Sequence, residues 1–120
     1  MRPTWESYFL EIAKVVSTRA TCPRASVGAV IVSFDNRILA TGYNGSAPGR
    51  KHCTEVGCDI VDDHCQRVLH AEVNAIAHAA KAGIPVGGAH MYVYGRGICR
   101  ECHKVITAAG ISYTVETYGD

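Results

Sequence analysis

The chain has 120 residues, of which 48% are hydrophobic and 19% charged, and its formal net charge is +1. This length fits a single domain, 1–120, the composition excludes a disordered chain, and the near-neutral charge argues against long nucleic acid and for a small substrate. Because no apolar run of about 18 residues occurs and Met1 to Glu6 lack the apolar region of a signal peptide, we expect no membrane span and a cytoplasmic location.

The first part of the chain predicts a helix followed by a β-hairpin. Thr4 is a suitable N-cap, and Pro23 closes the helical region. Apolar residues follow helical spacing at Trp5, Phe9, Ile12, Ala13 and Val16. Residues 27–32 are almost all apolar and predict a buried strand, a turn at Asp35-Asn36 follows, and residues 38–43 predict the partner strand.

Residues 44–67 are rich in Gly, Cys, His and Asp and show weak periodicity. A loop of this length inside a compact domain is expected only where it is functional or held in place. A second helix is predicted to open near His70 and to end at Gly83 and Pro85.

The last third of the chain predicts two strands joined by a helix. Residues 90–94 form the first of these strands, Cys99 opens the helix, Gly110 caps its C-terminus, and residues 111–115 form the last strand. Such a connection is expected to make the two strands parallel. The order α-β-β-α-β-α-β therefore predicts a three-layer α/β/α fold with a mixed central sheet of four or five strands.

Two short motifs carry the chemistry of the chain: His70-Ala71-Glu72 and Cys99-x-x-Cys102. Cys99 and Cys102 share one face of a helical turn at a helix N-terminus, where the dipole favours thiolates. Together with His70 they make three good zinc ligands, and a catalytic zinc site has three protein ligands and keeps one position for water. Taken alone, a Cys-x-x-Cys pair could be a redox motif or half of a structural zinc site.

Glu72 is a poor fourth ligand and a good base. A zinc-activated water beside a carboxylate that takes and returns a proton is the equipment for hydrolytic deamination of a base. We therefore predict Glu72 as the catalytic residue and His70, Cys99 and Cys102 as the ligands of a catalytic Zn²⁺.

The chain resembles the zinc-dependent cytidine/deoxycytidylate deaminase superfamily, and within it the deoxycytidylate (dCMP) deaminases of bacteria and phages. The matching segments run in family order along nearly the whole chain: residues 26–32, residues 40–45, residues 65–76, and Cys99 to Cys102. The resemblance implies a cytidine-deaminase-like fold and zinc-dependent deamination of dCMP to dUMP in pyrimidine deoxynucleotide metabolism. It also implies a homo-oligomer, a hexamer in relatives, and an effector site for dCTP or dTTP around residues 42–49.

The resemblance also assigns substrate contacts. Asn44 would contact the sugar hydroxyl, the Ala71 backbone would contact the pyrimidine, and Arg24, near Ser26, would meet the phosphate. The Asn-Gly context of Asn44 equally suits an ordinary turn residue.

A second metal is predicted from the remaining cysteines, Cys22, Cys53, Cys58 and Cys65. Cytosolic cysteines are more often ligands than disulfides, and some dCMP deaminases carry a structural zinc here, with Cys22 and Cys53 at matching positions. His52 and His64 compete for ligand places. Four buried or free thiols are the alternative.

The chain departs from the family pattern in two places. Ile98 stands where the family usually has proline before the first cysteine, and the segment from Tyr92 is one residue longer. The resemblance implies that this loop lies next to the bound base, so a 5-substituted dCMP is an alternative substrate. The chain also stops soon after the last predicted strand, so we expect an exposed sheet edge that a second subunit could cover.

Other functions remain open at this point. One is deamination of another cytosine nucleoside or nucleotide, a free base or a tRNA base. Another, of a different class, is a zinc-stabilised regulatory binding module without activity. Glu72 counts against that module, because a purely structural zinc site has no use for the carboxylate.

Overall fold

In the computed structural model, which describes residues 1–62 and 64–118, the first helix begins directly after Thr4, as predicted. The Thr4 Oγ1 accepts a hydrogen bond from the backbone N–H of Ser7 at 3.1 Å, which satisfies one of the free donors of the helix N-terminus. Phe9 and Ala13 are buried on the inner face of this helix. Trp5, the first residue of this helix, stacks on Phe9 and is 56% exposed.

The described residues form four helices and six strands. The helices are α1 (Trp5–Ser17), α2 (Cys53–Val56), α3 (Ala71–Ala82) and α4 (Arg100–Ala108). The strands are β1 (Gly28–Val32), β2 (Ile38–Tyr43), β3 (Ile60–Val61), β4 (His64–Cys65), β5 (His90–Gly95) and β6 (Tyr113–Tyr118). Among these residues, no helix is both long enough and apolar enough to cross a bilayer.

Four strands make the main sheet, in the order β2-β1-β5-β6. The strand β1 is antiparallel to both β2 and β5, whereas β5 and β6 are parallel and are joined through α4. The mixed sheet and the parallel last pair are thus confirmed. β2 and β6 are its two edges.

The sheet is covered by helices on both faces, which confirms the three-layer α/β/α prediction. Val30 and Val32 of β1 pack with Phe9 and Ala13 of α1 on one face. Ala29 and Ile31 belong to the cluster on the opposite face, which contains Ala75 of α3 and Ile106 of α4. Since β1 is buried on both faces, a continuous apolar run suits it better than alternation.

The last strand begins later than predicted, at Tyr113 instead of residue 111. Ile111 is buried against the helical core cluster, and the Ser112 N–H donates to the Ala89 carbonyl, so both residues belong to the connection between α4 and β6. Gly110 was predicted as the C-cap of this helix, but Ala109 is the C-cap and Gly110 follows it with φ 86°. A glycine just beyond the C-cap is the usual way for a helix to end.

The long segment after β2 contains more local structure than the sequence predicts. It holds the one-turn helix α2 and the small hairpin β3–β4. Reciprocal backbone hydrogen bonds between Gly45 and Leu69, at 3.1 and 2.8 Å, tie its two ends together. The segment therefore enters and leaves the domain at one place, beside His70.

Candidate active site

Three ligand-type side chains converge where two helices begin. His70 is the N-cap residue of α3 and Cys99 the N-cap residue of α4, with Cys102 in the first turn of α4. The His70 Nδ1 lies 3.5 Å from the Cys99 Sγ and 3.2 Å from the Cys102 Sγ. Nitrogen and sulfur ligands of a tetrahedral zinc ion lie about 3.6 Å apart, given Zn–N near 2.0 Å and Zn–S near 2.3 Å. The donor set and its spacing therefore fit zinc.

The start of α3 is held tightly on the sheet. The closest approach is at Gly42 of β2, where a Cβ atom would lie only 2.3 Å from the Ala75 backbone nitrogen and 2.5 Å from the Ala71 carbonyl oxygen. The Asn74 Nδ2 donates to the Tyr43 carbonyl at 2.8 Å, which fixes the first turn of the helix to the end of the strand. His70 and Glu72 are therefore carried on a rigid element.

Glu72 is a buried carboxyl beside this donor set. It is 4% exposed and lies in the first turn of α3. Burial raises its pKa above the ordinary value, against the opposing effects of its own backbone N–H, His70 and the Cys102 thiol. A carboxyl that is both desolvated and close to the ligand atoms is suited to receive and return a proton.

A cavity of about 390 Å³ opens next to these residues, and His70, Glu72 and Cys99 line it. This volume lies within the usual range for small-molecule sites, roughly 300–1,000 Å³. Three residues of the predicted substrate set, Arg24, Asn44 and Ala71, also line the cavity. Ser26 is not among the lining residues, and its side chain is exposed.

The Asn44 side chain is engaged with the protein. Its Oδ1 accepts from the Val27 N–H and its Nδ2 donates to the Ala25 carbonyl, both at 2.8 Å. These bonds join the end of β2 to the segment that leads into β1. These are long-range bonds and differ from the local bonds of an Asn-Gly turn, so Asn44 ties two segments together. Its predicted sugar contact would have to use the remaining hydrogen-bonding capacity of the amide.

The predicted site residues did not include Arg96 and Gly97, which line the cavity, although the resemblance implied that their loop lies next to the bound base. They belong to the segment between β5 and α4 that departs from the family pattern, and that departure was the available signal. Cys22 and Cys65 also line the cavity, and no motif in the chain predicts this.

A second group of sulfur atoms lies in the long segment after β2. The Sγ atoms of Cys53, Cys58 and Cys65 all lie within 4.8 Å of one another, and the Cys53–Cys65 distance is 3.6 Å. That separation is far above the 2.05 Å of a disulfide bond and close to the distance of about 3.8 Å between thiolates on one tetrahedral zinc. Cys22, the fourth predicted ligand, is buried and close enough to Cys58 to affect its pKa, but it lies outside the tight trio.

The thiols of this group differ in acidity. Burial, with the neighbouring Cys65 and Cys58 sulfurs, raises the pKa of Cys53 to about 12. Burial also acts to raise the pKa of Cys65, but backbone N–H donors, first that of Asp59, lower it to about 7. The Asp59 nitrogen lies 3.4 Å from the Cys65 sulfur. Sulfur that accepts N–H bonds is typical of metal-binding thiolates.

The structure argues against His52 as a ligand of this second group. The His52 Nδ1 lies 3.1 Å from the Thr21 hydroxyl, and His52 is not part of the sulfur group. The side chain of His64 lies outside the described residues.

Comparison with known proteins gives a consistent result. Residues 3–117 match the family model of the cytidine and deoxycytidylate deaminase zinc-binding region. The ComE operon protein 2 of Bacillus subtilis (strain 168) is 47% identical over 98% of this chain, and the deoxycytidylate deaminase of Mycobacterium phage D29 is 35% identical over 95% of this chain and 94% of its own length. The chain spans 62% of the Bacillus protein and 37% to 38% of two yeast deoxycytidylate deaminases.

A solved structure agrees with these matches. The dCMP deaminase of cyanophage S-TIM5, in complex with dCMP and dUMP, superposes with a TM-score of 0.79 at 30% identity. The match covers 97% of this chain and 82% of the phage chain. The similarity therefore includes the central sheet together with the helices that carry His70, Glu72 and the cysteine pair.

Proposed function

The chain belongs to the cytidine and deoxycytidylate deaminase family, and we propose that it catalyses the hydrolytic deamination of dCMP to dUMP with release of ammonia. The observation that carries this proposal is the position of one buried carboxyl, Glu72, beside a three-ligand zinc set that lines a cavity. A purely structural zinc site would have four protein ligands and no need for that carboxylate.

His70, Cys99 and Cys102 would hold the catalytic zinc. When bound there, zinc supplies a Lewis acid that makes a water molecule acidic enough to react at neutral pH. Glu72 takes a proton from the attacking water and delivers it to the amino group on C4 of cytosine, so that water and dCMP give dUMP and ammonia. The burial of Glu72 keeps this proton away from bulk solvent.

The proposed substrate contacts follow the residues that line the cavity. The Ala71 backbone would contact the pyrimidine, Asn44 the sugar and Arg24 the phosphate. The exposed side chain of Ser26 offers less support for a substrate contact.

We also propose a second, structural zinc held by Cys53, Cys58 and Cys65, with Cys22 as the fourth ligand. The spacing of the three sulfurs and the N–H donors to Cys65 support it. A homo-oligomer and regulation by dCTP or dTTP are proposed on the family resemblance, and the exposed residues Tyr113 and Tyr118 on the edge strand β6 are compatible with a covered edge.

The experiment that tests the proposal is a spectrophotometric assay for the loss of cytosine absorbance. Purified protein is offered dCMP, deoxycytidine, cytosine and 5-methyl-dCMP in turn, with a tRNA stem-loop as a separate arm. We expect the highest kcat/KM with dCMP. A clear preference for cytosine or the stem-loop would reject the substrate assignment, and no turnover of any of them by zinc-loaded protein would favour the regulatory module.

A further inference from the structure

The segment between β5 and α4 is a short, fixed support beside the cavity. Gly95 has φ 116°, a conformation that L side chains rarely adopt, and a Cβ there would lie 2.3 Å from the Ser26 carbonyl oxygen. At the other end, the Ile98 N–H donates to the Glu116 Oε2 of β6 at 2.7 Å, and the Ile98 side chain is buried. The residues between these two points are therefore held between Ser26, which precedes β1, and β6.

Arg96 is the cation on this support. Its side chain is exposed and lines the cavity that also contains His70 and Glu72. Within residues 1–62 and 64–118, its guanidinium makes no hydrogen bond or ion pair. The backbone of Arg96 is thus fixed on both sides, and none of the described residues occupies its charged group.

The charged side chains that line the cavity indicate which part of a nucleotide would bind Arg96. Arg96 and Arg24 both line it, while the acidic group that lines it, Glu72, is buried beside the metal ligands. A guanidinium has five donors and no acceptor, and it matches the oxygens of a phosphate in pairs. Of the parts of a pyrimidine nucleotide, only the phosphate carries a full negative charge.

We propose that Arg96 binds the 5′-phosphate of the substrate and makes the site selective for a nucleoside monophosphate over the nucleoside. This inference rests on the proposed deaminase function and extends it to a residue in the part of the chain that departs from the family pattern. The rigid support matters here, because a fixed backbone lowers the entropy lost when the side chain is ordered on the ligand.

The test compares R96Q, R96K and the wild type on dCMP and on deoxycytidine. A charge-assisted hydrogen bond contributes enough that R96Q should lower kcat/KM for dCMP by about 10- to 100-fold. The value for deoxycytidine should change by less than about 3-fold, since this substrate has no phosphate. R96K, which keeps the charge without the planar fork, should fall between the two. R37Q, on the exposed hairpin turn, is the matched control and should equal the wild type.

A second measurement separates this inference from the function itself. Calorimetric titration with dUMP reports binding without turnover, and R96Q should bind it about 10-fold or more weakly, with a difference that shrinks at high salt. Equal losses on dCMP and deoxycytidine would overturn the proposal, because they would indicate a contact to the base or a change in the support. Unchanged dUMP affinity would also overturn it. If the wild type turned over neither substrate but bound dUMP through Arg96, the proposed function would fail and this inference would stand.

Discussion

The two sulfur-containing clusters use the same ligand atom in different surroundings. His70, Cys99 and Cys102 are placed by the N-termini of two helices that pack on the central sheet. Cys53, Cys58 and Cys65 are placed by a one-turn helix and a two-residue hairpin. The first cluster has a buried carboxyl beside it, whereas in the second the ligand-type groups are thiols alone among the described residues.

From these surroundings we expect the first cluster to take part in catalysis and the second to stabilise the folded chain. Secondary structure and packing already position the first cluster. A metal bound there is not needed to hold the fold together, so it can serve the reaction. The second lies where apolar packing is sparse: Val56, Ile60 and Val61 nearby are exposed. Ligation free energy at such a place is folding free energy.

Cys99→Ala should have the largest effect, because it removes a ligand from the first cluster. We expect one zinc to be lost and deamination to fall to background, because two remaining ligands cannot hold the ion at its working position. Metal analysis and the absorbance assay check both effects. His103→Ala, an exposed neighbour on α4, is the control and should keep metal and activity. Full activity of the Cys99 variant, or of metal-free protein, would contradict the assignment.

Glu72→Gln tests the carboxyl that separates the two clusters. The amide keeps the shape of the side chain and loses its basicity, so turnover should fall by about 10²- to 10⁴-fold while zinc content is unchanged. The measurement is kcat together with metal content by atomic absorption. A variant with near wild-type kcat would mean that another group moves the proton.

Cys53→Ser tests the stabilising role of the second cluster. We expect one fewer zinc per chain and a melting temperature lower by about 10 °C or more, since structural zinc contributes several kcal/mol to folding. At a temperature where the variant is folded, it should retain the catalytic zinc. Thr54→Ser, the exposed neighbour, is the control. Wild-type protein with one zinc per chain and freely titratable Cys22, Cys53, Cys58 and Cys65 would rule the second site out.

Gly42→Ala tests whether the first cluster depends on the packing of α3 on the sheet. The added methyl group would collide with helix backbone at Ala71 and Ala75, so the helix must shift. We expect a loss of about 1–3 kcal/mol in the free energy of unfolding, and lower kcat. Denaturant unfolding measures the first effect. Gly87→Ala, where a Cβ meets nothing within 4 Å, should be near neutral; equal effects of the two changes would contradict the argument.

Much of this fold was predictable because local and tertiary signals agree. The apolar run of β1, the Thr4 cap and the two helix starts at His70 and Cys99 each follow from residue type and spacing. The late start of β6 was not predictable, because an apolar residue such as Ile111 suits a buried connection as well as a strand. The hairpin β3–β4 was not predicted, because strands of two residues show no periodicity in the sequence.

The candidate site was predictable to a similar extent. The ligand set and Glu72 follow from motif spacing, and the fold brings these residues together. The cavity wall does not follow from spacing, since Arg96 and Cys65 meet there only through tertiary structure. The roles assigned to Arg24, Ser26, Asn44 and Ala71 stay predictions.

The hydrogen bond from the Ile98 N–H to Glu116 limits which residue can serve at position 98. Proline, the usual family residue at this place, has no N–H to donate. Proline at position 98 would therefore remove this bond and leave the exposed Glu116 carboxylate to water. The loop before Cys99 is anchored to the last strand by a bond that only a residue with a backbone N–H can make at position 98.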